Sequence, residues 1–359
     1  MGSLAGGELW SPDADTIRRV DPSAPWHALT PCLWQLAVSL AQSTPDIETQ
    51  PRPPVVAVVG ATGTGKSALA LSLAAALAES GQPVEIVNAD AMQLYRGMDI
   101  GTAKLPVDQR GGIVHHLLDV WEVTKEASVA DYQATARATI LEILSRGVIP
   151  LMVGGSGLYV SSVLYEFEFP GTDKAIRESL EARWEAEGPD ALVEELRAKD
   201  PLAAAAIDPK NARRVIRALE VIALTGKPFG AGLDAEHRPW YPRTVVMGLR
   251  SPREQLVERL DDRVRAMWSA GLVDEVRGLI PQGIESGVTA SRAIGYQQCL
   301  SFLAGSLSEE EAIEETQALT RRYARRQVSW FGRSADTHWI ESDDPGATTK
   351  ALGFLATAG

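Results

Sequence analysis

Eight consecutive residues, Gly60, Ala61, Thr62, Gly63, Thr64, Gly65, Lys66 and Ser67, match the pattern G-x-x-x-x-G-K-[ST]. Each residue type answers a need of phosphate chemistry. Glycines let the backbone wrap closely, so that several N–H groups face phosphate oxygens. A helix starting at that point adds the positive end of its dipole. Lys66 neutralises charge on terminal phosphates, and the Ser67 hydroxyl is suited to ligate Mg²⁺. The loop does not fix the ligand: a nucleoside triphosphate or another diphosphate satisfies it. Two features favour another diphosphate. The best later strand, through Leu151, Met152 and Val153, runs into glycines rather than an aspartate. No separate base-recognition motif is found.

Asp90 follows a second short apolar run, residues 84–87. In an open α/β sheet, ligands sit beyond the carboxyl ends of the strands, which puts Asp90 near the phosphate loop. From position alone it can hold a metal, accept a proton or cap a helix. Other candidates have plainer readings. His115 and His116 are adjacent and point differently on regular structure, so a structural role is favoured over a metal pair. Arg213, Arg214 and Arg217 share one helical stretch, with Glu220 three residues beyond Arg217. Arg177 sits among Glu178 and Glu181, the pattern of a solvated ion-paired face. Residues 316–333 carry Arg321, Arg322, Arg325, Arg326 and Arg333 without an acid, just after a run of glutamates. That is either a solvated helix or a nucleic-acid patch. Trp330 and Tyr296 read as core residues.

These side chains need elements to hold them. Residues 55–59 form a continuous apolar run, as in a strand buried on both faces of a parallel sheet. A helix is predicted over 68–78, ending at Gly81, and further strands over 84–87 and 148–153. The alternation predicts an α/β fold, a doubly wound parallel sheet of the P-loop type. From 171 to 242 strand signals are absent, and helical patterns run over 173–198 and 211–224. A helical insertion over the active edge of the sheet is predicted there. A strand returns at 244–249, followed by helices at 253–270, 272–280 and 308–330. Ser308 and Glu311 form a capping-box pattern at the start of the last one. The chain therefore divides into an N-terminal extension (1–53), a first part of the core (54–170), the insertion (171–242), core completion with C-terminal helices (243–341) and a tail (342–359). The extension reads as poorly ordered, with room for one loosely docked helix at 32–41.

Composition sets outer bounds. The chain of 359 residues has room for one large domain with an insertion, or for two domains. A net charge of -12 argues against a protein that coats nucleic acid non-specifically, though not against a specific RNA enzyme with local basic patches. Cys32 and Cys299 cannot make a disulfide framework or a four-ligand zinc site, which suits a reducing cytoplasm. No stretch reaches the ~20 apolar residues of a membrane span. No signal-peptide pattern opens the chain. A monomer is the default expectation.

Residues 88–104, which run Asn88, Ala89, Asp90, Ala91, Met92, Gln93, Leu94, Tyr95, Arg96, Gly97 and on to Lys104, resemble the tRNA dimethylallyltransferases (tRNA isopentenyltransferases). The similarity covers about residues 55–335. It includes the phosphate loop and the segments 151–159, 211–220, 291–296 and 323–331. The resemblance implies a P-loop core with a helical insertion, Mg²⁺, and dimethylallyl diphosphate as donor. The implied acceptor is the adenine beside the anticodon of tRNA, conventionally position 37. Thr62 to Ser67 would hold the donor diphosphate, and Arg263 would join them. Asp90 would be the catalytic aspartate that hydrogen-bonds the adenine N6 amine. The tRNA would be touched by Asp90, Ala91, Met92 and Gln93, by Ser156, by Arg177, and by Arg213, Arg214 and Arg217. Ser156 stands where many members have threonine and keeps the hydroxyl. The extension has no counterpart in the family.

Three other functions use parts of the same pattern. An adenylate dimethylallyltransferase would share the loop, Asp90 and the donor. The length of the insertion and the matches at Ser156, Arg177 and Arg213 favour tRNA. A nucleotide kinase or P-loop switch is opposed by the block around Asp90. A non-enzymatic RNA-binding protein is opposed by the net charge and the intact phosphate loop.

Overall fold

The computed structural model describes residues 53–167, 169–229 and 238–357. The N-terminal extension, including the apolar stretch at 32–41 and Cys32, lies outside the described residues, apart from Pro53.

The apolar runs become a six-stranded, all-parallel sheet. Its strands are β1 (Val55–Gly60), β2 (Val84–Asn88), β3 (His115–His116), β4 (Ile149–Gly154), β5 (Thr244–Arg250) and β6 (Thr337–Glu341), in the order β3-β2-β4-β1-β5-β6. Every residue of β1 is buried, as expected for the central strand of a sheet covered on both sides. Alternate residues serve opposite faces. Val56 and Val58 pack with Leu69, Leu73 and Leu77 of helix α1 (Lys66–Glu79). Val55, Ala57 and Val59 share the other core with helices α2 (Val129–Ser145) and α3 (Gly157–Leu164).

The predicted insertion contains α4 (Lys174–Glu187), α5 (Pro189–Lys199), α6 (Pro201–Ala206) and α7 (Ala212–Thr225). These helices bury a core of their own around Leu180, Leu192, Leu196, Val215 and Leu219. The helix predicted over 173–198 is in fact two. Gly188, at φ 83°, ends α4, and Pro189 takes the first position of α5, where its missing N–H costs nothing. The chain leaves and re-enters the main core side by side: Trp240 N–H donates to Leu164 O and Glu166 N–H to Arg238 O.

After β5 come α8 (Arg253–Ser269), α9 (Leu272–Leu279), α10 (Tyr296–Leu303) and α11 (Glu309–Phe331). The predicted capping box opens α11. Glu311 N–H donates to Ser308 Oγ at 3.3 Å, and Ser308 N–H to Glu311 Oε2 at 2.8 Å. Residues 342–357 include one more helix, α12 (Ala347–Thr357), which packs with α1 through the buried Ala351. Among the described residues no helix is long and apolar enough to cross a membrane.

Candidate active site

The strand order creates the site. β1 and β4 are neighbours, yet β1 leads into α1 on one face and β4 into α3 on the other. Their following loops part at this switch point and leave a crevice beyond the carboxyl ends, where α/β sheets bind ligands. The phosphate loop follows β1. Gly60, at φ 140°, is required there, because a Cβ would lie 2.4 Å from Leu249 O of β5. At the start of α1 no side chain caps the first turn and no acid lies within it, so its N–H groups face the crevice unneutralised.

A cavity of about 260 Å³ opens over this loop. Thr62, Gly63, Gly65, Lys66 and Ser67 line one side, and Asp90, Gln93 and Arg263 line others. Lys66 Nζ donates to Ala61 O at 2.7 Å, and Arg263 Nη1 to Thr62 Oγ1 at 3.2 Å. Lys66 keeps some exposed surface but lies deep among protein atoms. Its burial, partly offset by the Asp90 carboxylate and reinforced by Arg263, pushes the ammonium down to about 8. Burial also lowers Arg263, again opposed by Asp90. Two cations and one carboxylate therefore act on one another inside one cavity. Since a diphosphate prefers the protonated lysine, kcat/KM for a diphosphate substrate is expected to fall as pH rises through about 8. A pH–rate profile of the wild type and of Lys66→Arg checks this. The arginine variant should lose that inflection.

Asp90 is held by a tight local network. Its N–H donates to Asn88 Oδ1, and its Oδ1 accepts from Met92 N–H at 2.9 Å. Asn88 is itself fixed by Leu117 O and by Tyr132, whose hydroxyl donates to Asn88 O. Ala91 N–H donates to Ser156 Oγ at 3.1 Å, which ties the Asp90 turn to the loop after β4. The far wall of the cavity includes Thr102, Ala103, Leu105, Leu118 and His115. His115 belongs to β3, and burial lowers its imidazole. Ala103, Leu117 and Asp119 all have positive φ, an uncommon backbone state outside glycine. The buried Lys104, next to Ala103, pairs with Asp99 and Asp119 at 2.6 Å each, and Leu117 O accepts from Asn88 Nδ2 at 2.9 Å.

Several expected residues sit differently from their sequence reading. Ser156 and Ala91 are buried and bonded to each other, so neither side chain is presented outward. Arg177 does not pair with Glu178 or Glu181. It reaches across to Glu220 at 2.9 Å, and Arg217 pairs with the same carboxylate at 2.8 Å. Glu220 also accepts from Asp173 N–H. Glu220 has no exposed surface, although it lies near the protein's edge under the two guanidiniums. Burial opposes its ionisation, but the bonds from Arg177 and Arg217 outweigh that and hold it below the usual range. Arg213 pairs with Glu126, and Arg214 is exposed. Tyr296 is core, its hydroxyl on Glu275. Trp330 is not: it is 38% exposed and lies over Gly157, where a Cβ would be 2.5 Å from its ring. Gln327 lies in the resembling segment 323–331, and the resemblance gives it no role, yet it bonds both to Thr62 and to Gly155.

A family model described as IPP transferase matches residues 93–334. The chain is 59% identical over 305 residues to a tRNA dimethylallyltransferase of Clavibacter sepedonicus, covering 85% of this chain and 99% of that one. It is 55% identical over 301 residues to one of Thermobifida fusca, covering 84% and 94%. Among solved structures, a tRNA isopentenylpyrophosphate transferase of Bacillus halodurans matches with TM-score 0.62 and 38% identity, over 86% of this chain and 98% of that one. A eukaryotic dimethylallyltransferase acting on tRNA matches with TM-score 0.71 and 28% identity, over 84% and 78%. With the sheet order, the phosphate loop and the Asp90 turn in place, these matches show that the chain belongs to the tRNA dimethylallyltransferase family.

Proposed function

We propose that this chain transfers the dimethylallyl group of dimethylallyl diphosphate to N6 of adenine 37 in tRNA, releasing diphosphate. The observation that carries this reading is the convergence of Lys66, Arg263 and Asp90 on one cavity at the switch point, in a chain of this family.

The adenine amine is a weak nucleophile, because its lone pair is delocalised into the ring. Asp90 accepts one N–H proton as the C–N bond forms. Negative charge grows on the diphosphate as the allylic C–O bond breaks. The loop's backbone amides, Lys66 and Arg263 stabilise it. Walls such as Leu105, Leu118 and Val153 keep water from the allyl group while it carries positive charge. The adenine must leave its stack to enter the cavity.

The residues also fit Mg²⁺. Mg²⁺ commonly takes few protein ligands and fills its sphere with substrate phosphates and water. Ser67 offers one hydroxyl in the cavity, and the described residues hold no cluster of three or more His, Cys, Asp or Glu for a metal. Ser67 would hold the ion, which would supply charge neutralisation at the diphosphate.

On the RNA side we assign Met92, Gln93, Arg177, Arg213, Arg214 and Arg217. Arg213→Ala with Arg214→Ala should raise KM for tRNA but not for the donor. It should also flatten the log–log salt dependence of tRNA binding by about one unit for each phosphate that these side chains neutralise. Arg177→Ala with Arg217→Ala is a poorer test. It strands the buried Glu220, at a cost on the order of 3 kcal/mol, the low end for a buried pair because both guanidiniums remain partly solvated. That double variant should melt lower, whereas the Arg213 and Arg214 pair should melt like the wild type; thermal denaturation of both checks this.

The proposed setting is a cytoplasmic monomer. The rival reading, an adenylate dimethylallyltransferase, is tested by offering the purified protein AMP or tRNA with the same donor. Transfer to tRNA is expected, and transfer to AMP alone would select the rival.

A further inference from the structure

Helix α11 turns one side toward the crevice. Gln327, on that side, is buried, and its primary amide is divided between two loops. Its Oε1 accepts from Thr62 N–H at 2.9 Å, across 265 residues of sequence. Its Nε2 donates to Gly155 O at 2.6 Å, across 172. One loop follows β1 and carries Lys66; the other follows β4 and carries Ser156, which bonds the Asp90 turn. One helical turn earlier, the Tyr323 side chain lies beside Ser156 and Gln327. The fit is close on the glycine side as well: a Cβ at Gly155 would lie 2.5 Å from Gln327 Nε2.

We propose that Gln327 is a positioning residue for transfer: by bridging Thr62 N–H and Gly155 O, it sets the distance between the diphosphate-holding loop and the Asp90 turn. A glutamine suits this post because one side chain supplies an acceptor and a donor at opposite ends of a rigid amide. The bond to Gly155 is buried and the bond to Thr62 partly buried, so losing the side chain leaves a buried C=O and a partly buried N–H without these partners. The Thr62 amide also cannot turn toward a phosphate while Gln327 holds it. The residue thus fixes which loop amides face the ligand, and it fixes Thr62 beneath Arg263. Misplacing a reacting group by about 1 Å can cost ~10²-fold in rate.

The proposal rests on the transfer activity above. Its test uses Gln327→Met, which keeps length without the amide, and Gln327→Glu, which keeps the acceptor for Thr62 but sets an oxygen against Gly155 O. Both are assayed well below their melting temperatures with dimethylallyl diphosphate and tRNA. Their affinity for inorganic pyrophosphate is measured by calorimetry without tRNA. We expect kcat to fall by ~10²-fold in Gln327→Met, pyrophosphate to bind more weakly, and KM for tRNA to stay unchanged. Gly155→Ala should cause the same kcat defect from the opposite side. Combining it with Gln327→Ala, which removes the closest contact but leaves Gly60 O at 3.0 Å from the new Cβ, should give a loss smaller than the two single losses combined. A rise in KM for tRNA with kcat unchanged would overturn the proposal and make Gln327 an RNA-binding residue. So would wild-type kcat and pyrophosphate affinity in both Gln327 variants, or fully additive losses in the double variant. If the wild type fails to prenylate tRNA while Gln327→Met still loses pyrophosphate affinity, the transfer reading fails and the positioning role stands.

Discussion

Asp90→Asn is expected to lower kcat for prenyl transfer by about 10²–10⁴-fold, the range for removal of a general base. Donor affinity and melting temperature should stay close to wild type. Asparagine is the informative replacement because Asp90 does two things. One oxygen accepts the Met92 N–H and shapes the turn, and asparagine keeps that bond. The turn's other ties, through Asn88 and Ser156, do not involve the carboxylate. What asparagine lacks is the capacity to take up a proton from the amine. Asp90→Ala removes both functions and should also loosen the turn. Comparing the two by single-turnover kinetics and thermal denaturation separates base from cap. Near-normal turnover in Asp90→Asn would remove Asp90 from the chemical step.

Lys66→Ala and Arg263→Ala are each expected to slow the chemical step by about 10²–10³-fold, the usual cost of losing one donor at a site of developing charge. Both should also weaken donor binding. The two cations flank the same loop: Lys66 bonds Ala61 O, and Arg263 bonds Thr62 Oγ1. Because they act on one leaving group, the double variant should lose less than the product of the single effects. Neither change should raise KM for tRNA. Rapid-quench measurement of bond formation at saturating tRNA reads the effect. Unchanged rates in both single variants would put the diphosphate elsewhere.

The parts legible in the sequence were those whose physics is local. Gly60 to Ser67 fix a loop by backbone freedom and charge within eight residues, and Asp90 lies two residues past a strand that ends at Asn88. Strand placement then brings both to the same sheet edge. The capping box of Ser308 and Glu311 spans one turn and was equally readable. Arg217 pairing with Glu220 follows from helical spacing, but Arg177 reaching the same carboxylate depends on how α4 packs on α7. Its sequence neighbours Glu178 and Glu181 pointed the wrong way. Gln327 is the extreme case, since no local pattern can announce an amide whose partners are 265 and 172 residues away. Trp330 misled because a large ring near the end of an amphipathic helix resembles core, whereas here it covers a glycine at the surface. The break at Gly188 and Pro189 carried its own signal, a glycine followed by a proline, within an otherwise helical pattern.

The most direct test of the account is to incubate the purified chain with dimethylallyl diphosphate, Mg²⁺ and unmodified tRNA, digest the RNA, and identify its nucleosides by chromatography and mass spectrometry. The expected product is adenosine carrying one dimethylallyl group on N6, confined to the position beside the anticodon, and formed about 10²–10⁴-fold more slowly when Asp90→Asn replaces the wild type. Prenylation of free AMP with none on tRNA, or phosphate release from ATP without any prenylated nucleoside, would contradict it.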